Sequence, residues 1–192
     1  GLCRLDYKIK ANKSLFICLW KYSQSCGKKG CIHTAFELTK ALLSLDPNDD
    51  PLCCLLVIDY WGIRSNNIEW IIQFSQGFKI NISNKYNSIR ILPNWCYSVA
   101  LAKYLIEMKN GGYMTKNVDM NRIDVDLMNT NELSSSLLLQ QALMLFPEMM
   151  FVLLGKIGDN ILKDDEWKAI LNDKHFINGK LRMNNNSVIA KL

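Results

Sequence analysis

The run from Gly30 to Ile63 (GCIHTAFELTKALLSLDPNDDPLCCLLVIDYWGI) limits what this chain can fold into more than any other part of it. Ala35, Leu38, Leu42 and Leu45 fall at i, i+3, i+7 and i+10, which is one face of an α-helix. Asp46-Pro47 ends that helix, because proline lacks an N–H and disfavours helical geometry at the residue before it. Pro51 stands in the first-turn slot of a following helix, where a missing N–H costs nothing. From Leu52 to Ile58 the chain is apolar on nearly every side, and a helix of that kind has to be covered on both faces. The pattern predicts an inner helix of a stacked helical array and points to scaffolding before chemistry.

The rest of the chain extends the reading. Helices are expected over about Ser14 to Cys26, Cys31 to Leu45, Pro51 to Arg64 and Ile68 to Ser75. Others are expected from Pro93 to about Lys109, from Leu133 to Phe146 and from Asp164 to Leu171. Gly77 to Leu92 is asparagine-rich and weakly periodic and reads as loop. The expected organisation is a flexible basic edge (1–13), a helical-repeat core (14–109) and a mobile loop insertion (110–131). C-terminal helices of the same array (132–183) and a tail (184–192) complete it. Pro47 and Pro147 both close helices that resemble the second helix of a tetratricopeptide repeat, roughly three repeats of about 34 residues apart. The predicted fold class is all-α, an irregular α-solenoid of antiparallel hairpins with degenerate tetratricopeptide-like character.

Composition narrows the function. A hydrophobic share of 49% over 192 residues supplies a sizeable core, yet no apolar run reaches the about 20 residues a membrane span needs. The net charge of +5 is spread over scattered lysines and arginines, without the basic face interleaved with exposed aromatics that nucleic-acid modules display. Direct nucleic-acid contact is therefore not expected. The seven cysteines are odd in number and mostly sit among apolar neighbours, which suits free thiols in a reducing compartment, the cytosol or the nucleus. The chain opens at Gly1 without an initiator methionine or an apolar leader and is expected to be a fragment of a longer protein.

The residues that could carry chemistry read as structural. Cys26, Cys31 and His33, with His175 as a fourth ligand, lack the close C-x2-C pairs that structural zinc uses. Asp46-x-Asn48-x-Asp50 echoes a calcium loop, but Pro51 replaces the loop glycine and Val57 the bidentate glutamate. A thiol nucleophile would need a nearby histidine, and only His33 and His175 exist. Asp59, set among Val57, Ile58, Tyr60 and Trp61, is expected to be buried and paired, with Arg64 or a backbone N–H as partner. No catalytic residue, cofactor or metal is assigned.

Blocks in order along the chain then carry a resemblance. They are Gly30-Cys31, Thr34 to Glu37, Leu42 to Pro47, Asp50 to Leu52, Ile58 to Tyr60 and Ile63 to Ser65. Leu92 to Ser98 and Gln141 to Pro147 extend the series, and His175-Phe176 echoes a later block. Together they resemble the transcription factor 25 family, whose yeast member is a subunit of the ribosome quality control complex. His33 departs from it, standing where the family tends to carry arginine. The resemblance implies a non-catalytic adaptor that acts beside a listerin-type ubiquitin ligase. Its partners would be that ligase, ubiquitin and the large ribosomal subunit with its stalled nascent chain, and its outcome degradation-type polyubiquitination. It also implies a second reading, a nuclear transcriptional repressor. Partner contacts are expected at Lys28, Lys29, His33 and Arg64, polar residues at helix ends that the core does not need.

Overall fold

The computed structural model describes residues 3–82, 85–110, 133–157 and 165–180. The expected loop insertion beyond Asn110 and the tail from 184 lie outside them. The described residues are mostly helical, with one two-stranded hairpin, and the chain divides into two compact units, Gly1–Ser135 and Ser136–Leu192.

The first unit begins with helix α1, Lys10–Lys28, four residues earlier than its apolar face suggests. Asp6 explains the early start. Its carboxylate accepts the Lys8 N–H at 2.7 Å and its carbonyl accepts the Asn12 side chain at 2.9 Å, turning the chain into the helix. Leu5 N–H reaches the Leu45 carbonyl at 3.0 Å and Lys8 pairs with Asp49 at 3.0 Å, so the segment before α1 lies along the end of helix α2 (Ile32–Leu45).

Between α1 and α2 the chain turns by hydrogen bonds from Gly30 N–H to the Gly27 carbonyl and from Cys31 N–H to the Cys26 carbonyl. This is the Schellman arrangement, which requires a left-handed residue at its corner, and Gly30 supplies it with φ +83°. Ser23 and Thr39 are fully buried where the helices cross; both donate to the Ala35 carbonyl, at 3.1 and 2.7 Å. Small hydroxyls satisfied on helix carbonyls let the two backbones approach closely.

The helix expected from Pro51 does not form there. Asp50 turns its carboxylate on the amides of Cys54 and Leu55, at 2.8 and 2.9 Å, and Cys53 takes a left-handed conformation with φ 53°. A single 3-10 turn, Cys54–Leu56, intervenes before helix α3, Ile58–Arg64. A second Schellman corner ends α3. Asn66 N–H binds the Ile63 carbonyl and Asn67 N–H the Gly62 carbonyl, with Asn66 at φ 60°. Helix α4, Ile68–Gly77, follows, and α5, Pro93–Lys109, packs against it.

The segment expected as loop holds strands β1, Lys79–Ile82, and β2, Lys85–Ser88, antiparallel with Lys79 opposite Ser88 and Ile82 opposite Lys85. Each is only four residues long, too short for a period of two to stand out. The core of this unit joins Phe36, Leu42, Ile58, Ile71, Ile89, Trp95 and Val99, all essentially inaccessible. Long-range bonds clamp α5 to the 3-10 turn before α3: the Trp95 indole and the Asn94 amide both donate to the Leu55 carbonyl, at 2.7 and 3.0 Å. At the far end of α5, the Glu107 carboxylate accepts the N–H and hydroxyl of Ser135, the last residue of the unit.

The second unit holds the remainder of helix α6 (Ser135–Leu145), then α7 (Glu148–Ile157), α8 (Asp165–Leu171) and a helical run from 174 to 180. Pro147 breaks the apolar run as expected, and α6 and α7 meet at 111°. Gly179 lies so close to Pro147 that a Cβ there would sit 2.9 Å from the ring, and a His175 ring nitrogen bonds the Leu143 carbonyl at 3.2 Å. No single helix among the described residues is long and apolar enough to cross a membrane.

Candidate functional site

Three of the four residues expected to meet partners share one corner. Lys28 is the last residue of α1, Lys29 its cap, and His33 lies in the first turn of α2. All three are exposed, and none of their side chains has a hydrogen bond or ion pair with a described residue. The corner is braced from behind. A Cβ built on Gly27 would lie 2.2 Å from the Trp61 ring, so the end of α1 rests directly on α3. Arg64, one turn after Trp61, is exposed as well. Its guanidinium donates to the Tyr60 hydroxyl at 2.8 Å and lies 5.6 Å from that ring's centre. A rigid, uncommitted basic corner of this kind can meet an acidic protein surface.

The residues weighed for chemistry are placed otherwise. Cys26 is buried while Cys31 and His33 are exposed, and His175 is occupied within the second unit. Among the described residues no three histidine, cysteine or acidic side chains come together in a metal-holding group. The Asp50 carboxylate is spent on backbone amides, and Asp49 pairs with Lys8. Asp59 is buried as expected, but its partner is the Ser98 hydroxyl at 2.6 Å on α5, not Arg64. Burial, reinforced by the Asp50 carboxylate, pushes the Cys54 thiol well above its usual range, and burial pushes Cys96 up to about 11. Both buried thiols therefore stay protonated and poorly nucleophilic at neutral pH.

Two features have no counterpart in the sequence reading. Arg90 is 5% exposed, its outer nitrogen Nη2 has no hydrogen-bond partner among the described residues, and desolvation lowers its pKa. Arg90 follows the unforeseen hairpin, so a loop reading leaves it in solvent. The second feature is a groove of about 550 Å³ between the α3–α4 corner and the end of α5. Its carboxamides come from Asn66, Asn67, Gln73 and Asn110, and its apolar walls from Trp70 and Ile106. The Lys109 ammonium donates to the Asn66 carboxamide oxygen at 3.0 Å across it. The only trace of this groove in the sequence is the polar pair Asn66-Asn67, which reads equally well as a simple turn.

Comparison with known proteins places the chain in a family. The family described as "Transcriptional repressor TCF25" matches residues 1–189. The human "Ribosome quality control complex subunit TCF25" is 35% identical over 154 residues, 80% of this chain and 20% of its own. The Dictyostelium discoideum protein of the same name is 34% identical over 178 residues, 92% of this chain and 24% of its own. "Ribosome quality control complex subunit 1" of Schizosaccharomyces pombe is 39% identical over 106 residues, 55% of this chain and 15% of its own. No solved structure matches. The chain thus spans between a seventh and a quarter of the length of these relatives.

Proposed function

This chain belongs to the TCF25 family, and on that footing we propose that it is a protein-interaction segment of a ribosome quality control complex subunit. The observation that carries the reading is the subunit name borne by relatives as distant as human, slime mould and fission yeast. In finer detail, the segment is a non-catalytic adaptor that helps a listerin-type ligase place polyubiquitin on incomplete chains held by large ribosomal subunits. On this reading its helices form an irregular α-solenoid of antiparallel hairpins with degenerate tetratricopeptide-like character. The partner-facing corner is Lys28, Lys29 and His33, with Arg64 beside it on α3; its positive charge suits an acidic protein surface better than a neutral one. On this reading its site of action is the cytosol, with a second pool in the nucleus.

Full-length protein captured from cells with stalled translation tests the proposal. Co-sedimentation with large subunits is expected, together with a several-fold loss of ligase recovery for the Lys28→Glu/Lys29→Glu variant. A protein absent from those fractions, with ubiquitination of stalled chains unchanged in its absence, overturns the reading. The family description favours one alternative, a nuclear transcriptional repressor acting through protein or DNA contacts. Recovery of the protein on chromatin, with reporter repression that survives loss of ribosome association, would select it.

A further inference from the structure

We propose that the groove between the α3–α4 corner and the end of α5 binds an extended peptide segment of a partner protein by its backbone. The hydrogen-bonding capacity of its lining leads to this. A carboxamide carries two donors and an acceptor with two lone pairs, which matches a peptide group, whose N–H and C=O both demand partners. Four carboxamides line the groove, and most of their capacity is unspent. Among the described residues Asn66 uses its oxygen on Lys109 and not its NH2, and Asn67 uses its NH2 on Ser65 and not its oxygen. Gln73 and Asn110 are exposed and have no partner among the described residues.

The corner presents these groups in a fixed frame. Asn66 is held left-handed by the Schellman bonds that end α3, and Asn67 is anchored through its bond to the buried Ser65 hydroxyl at 2.7 Å. Trp70 and Ile106, both half-buried, offer an apolar floor for one side chain of the bound segment. Trp70 is itself fixed, with its ring edge-on to Phe36 at 4.9 Å and stacked on Phe74 at 4.6 Å. The volume falls in the range of about 300–1,000 Å³ typical of ligand clefts.

The lining also argues against other occupants. One lysine and one glutamate, Lys109 and Glu69, leave no excess positive charge, whereas phosphate-rich strands need several neutralising cations. A partner helix has its backbone satisfied internally, so it would make no use of four carboxamides and would want an apolar trough instead. An extended segment uses both features of the groove. The inference deepens the proposed function by naming the chemistry of one partner contact, and it rests on that reading only in taking the chain for an interaction segment.

The test uses the whole chain. A phage-displayed library of random 12-residue peptides is panned on it, and the consensus peptide, capped at both ends and fluorescein-labelled, is titrated by anisotropy. Gln73→Ala and Asn110→Ala change exposed side chains, and each is expected to weaken binding about 2- to 12-fold, the worth of one hydrogen bond. Backbone N-methylation of the peptide is expected to weaken it at least as much, while Lys21→Ala, an exposed change on α1, leaves it unchanged. The inference is overturned if no peptide is enriched, if both variants bind like the parent, or if N-methylation is without effect. Displacement of the peptide by a 12-nucleotide single-stranded RNA at similar concentration also overturns it. A groove-dependent peptide supports the inference even where the full-length protein fails to join ribosomes, so the two proposals fail separately.

Discussion

The α1–α2 hairpin and the α3–α5 layer are both helical, yet they are held together over very different distances along the chain. In the hairpin, Ser23 meets Ala35 and Thr39 across 12 and 16 residues, and the corner is closed by bonds spanning three to five. In the α3–α5 layer the decisive bonds span about forty: Leu55 to Trp95, Asp59 to Ser98 and Asn66 to Lys109. Loop closure over the longer span costs only slightly more entropy, so stability does not distinguish the two regions. Legibility does, because a local motif leaves its pattern in consecutive residues and a distant pairing leaves none.

Trp95→Ala should give the largest effect, because it empties a fully buried site and strips the Leu55 carbonyl of an indole donor. A loss of about 3–5 kcal/mol is expected from the denaturant midpoint, since a large aromatic leaves both transfer and cavity terms behind. Leu42→Ala, in the hairpin, should cost about 2–5 kcal/mol by the same measurement. If Leu42→Ala cost more than Trp95→Ala, the view of α5 as the clamp of the first unit would be wrong.

Gly27→Ala sharpens the comparison at the place where the two regions touch. Alanine is the better helix former by about 1 kcal/mol, but its Cβ would collide with the Trp61 ring, and overpacking costs about 1–3 kcal/mol. Net destabilisation is expected; stabilisation would mean that α1 does not rest on α3. The double variant Gly27→Ala/Trp61→Leu should recover part of the loss, which tests the contact rather than the glycine.

Smaller effects separate the buried thiols from the exposed ones. The Cys96 pKa is raised in the folded protein, so its contribution to stability is complete below the ordinary thiol value of 9.0 and is lost as pH climbs through about 11. Melting temperatures measured at pH 8 and 11 should therefore fall further for the parent chain than for Cys96→Ala. An aromatic disulfide reagent at pH 8 should label Cys3, Cys18, Cys31 and Cys53 quickly, and Cys26, Cys54 and Cys96 only on unfolding. Rapid labelling of Cys96 at neutral pH would contradict its place beneath the Arg90 turn, where its thiol donates to the Arg90 carbonyl at 2.6 Å.

Much of the helical framework was legible from residues alone. The apolar spacing from Ala35 to Leu42 located α2, Pro93 located the start of α5, and Pro147 the break between α6 and α7. Less legible was Pro51, a sound first-turn signal that Asp50 overrode by capturing the amides of Cys54 and Leu55. The hairpin from Lys79 to Ser88 escaped notice because four-residue strands carry little periodicity. At the candidate site, Lys28, Lys29 and His33 could be placed together from sequence, since one turn joins them. The Asn66 to Asn110 groove could not, because its two sides come from segments some forty residues apart.

By itself the sequence determined most helix positions, the burial of Asp59 and membership of a family. Each of these depends on residue type and spacing within a few turns, where backbone sterics and side-chain polarity act directly. Tertiary structure alone decided the partner of Asp59, the burial of Arg90 and the union of Asn66, Trp70 and Asn110 around one groove. Those depend on which surfaces of α3, α4 and α5 meet. That choice is made by packing the whole core at once, a constraint that no local window of residues contains.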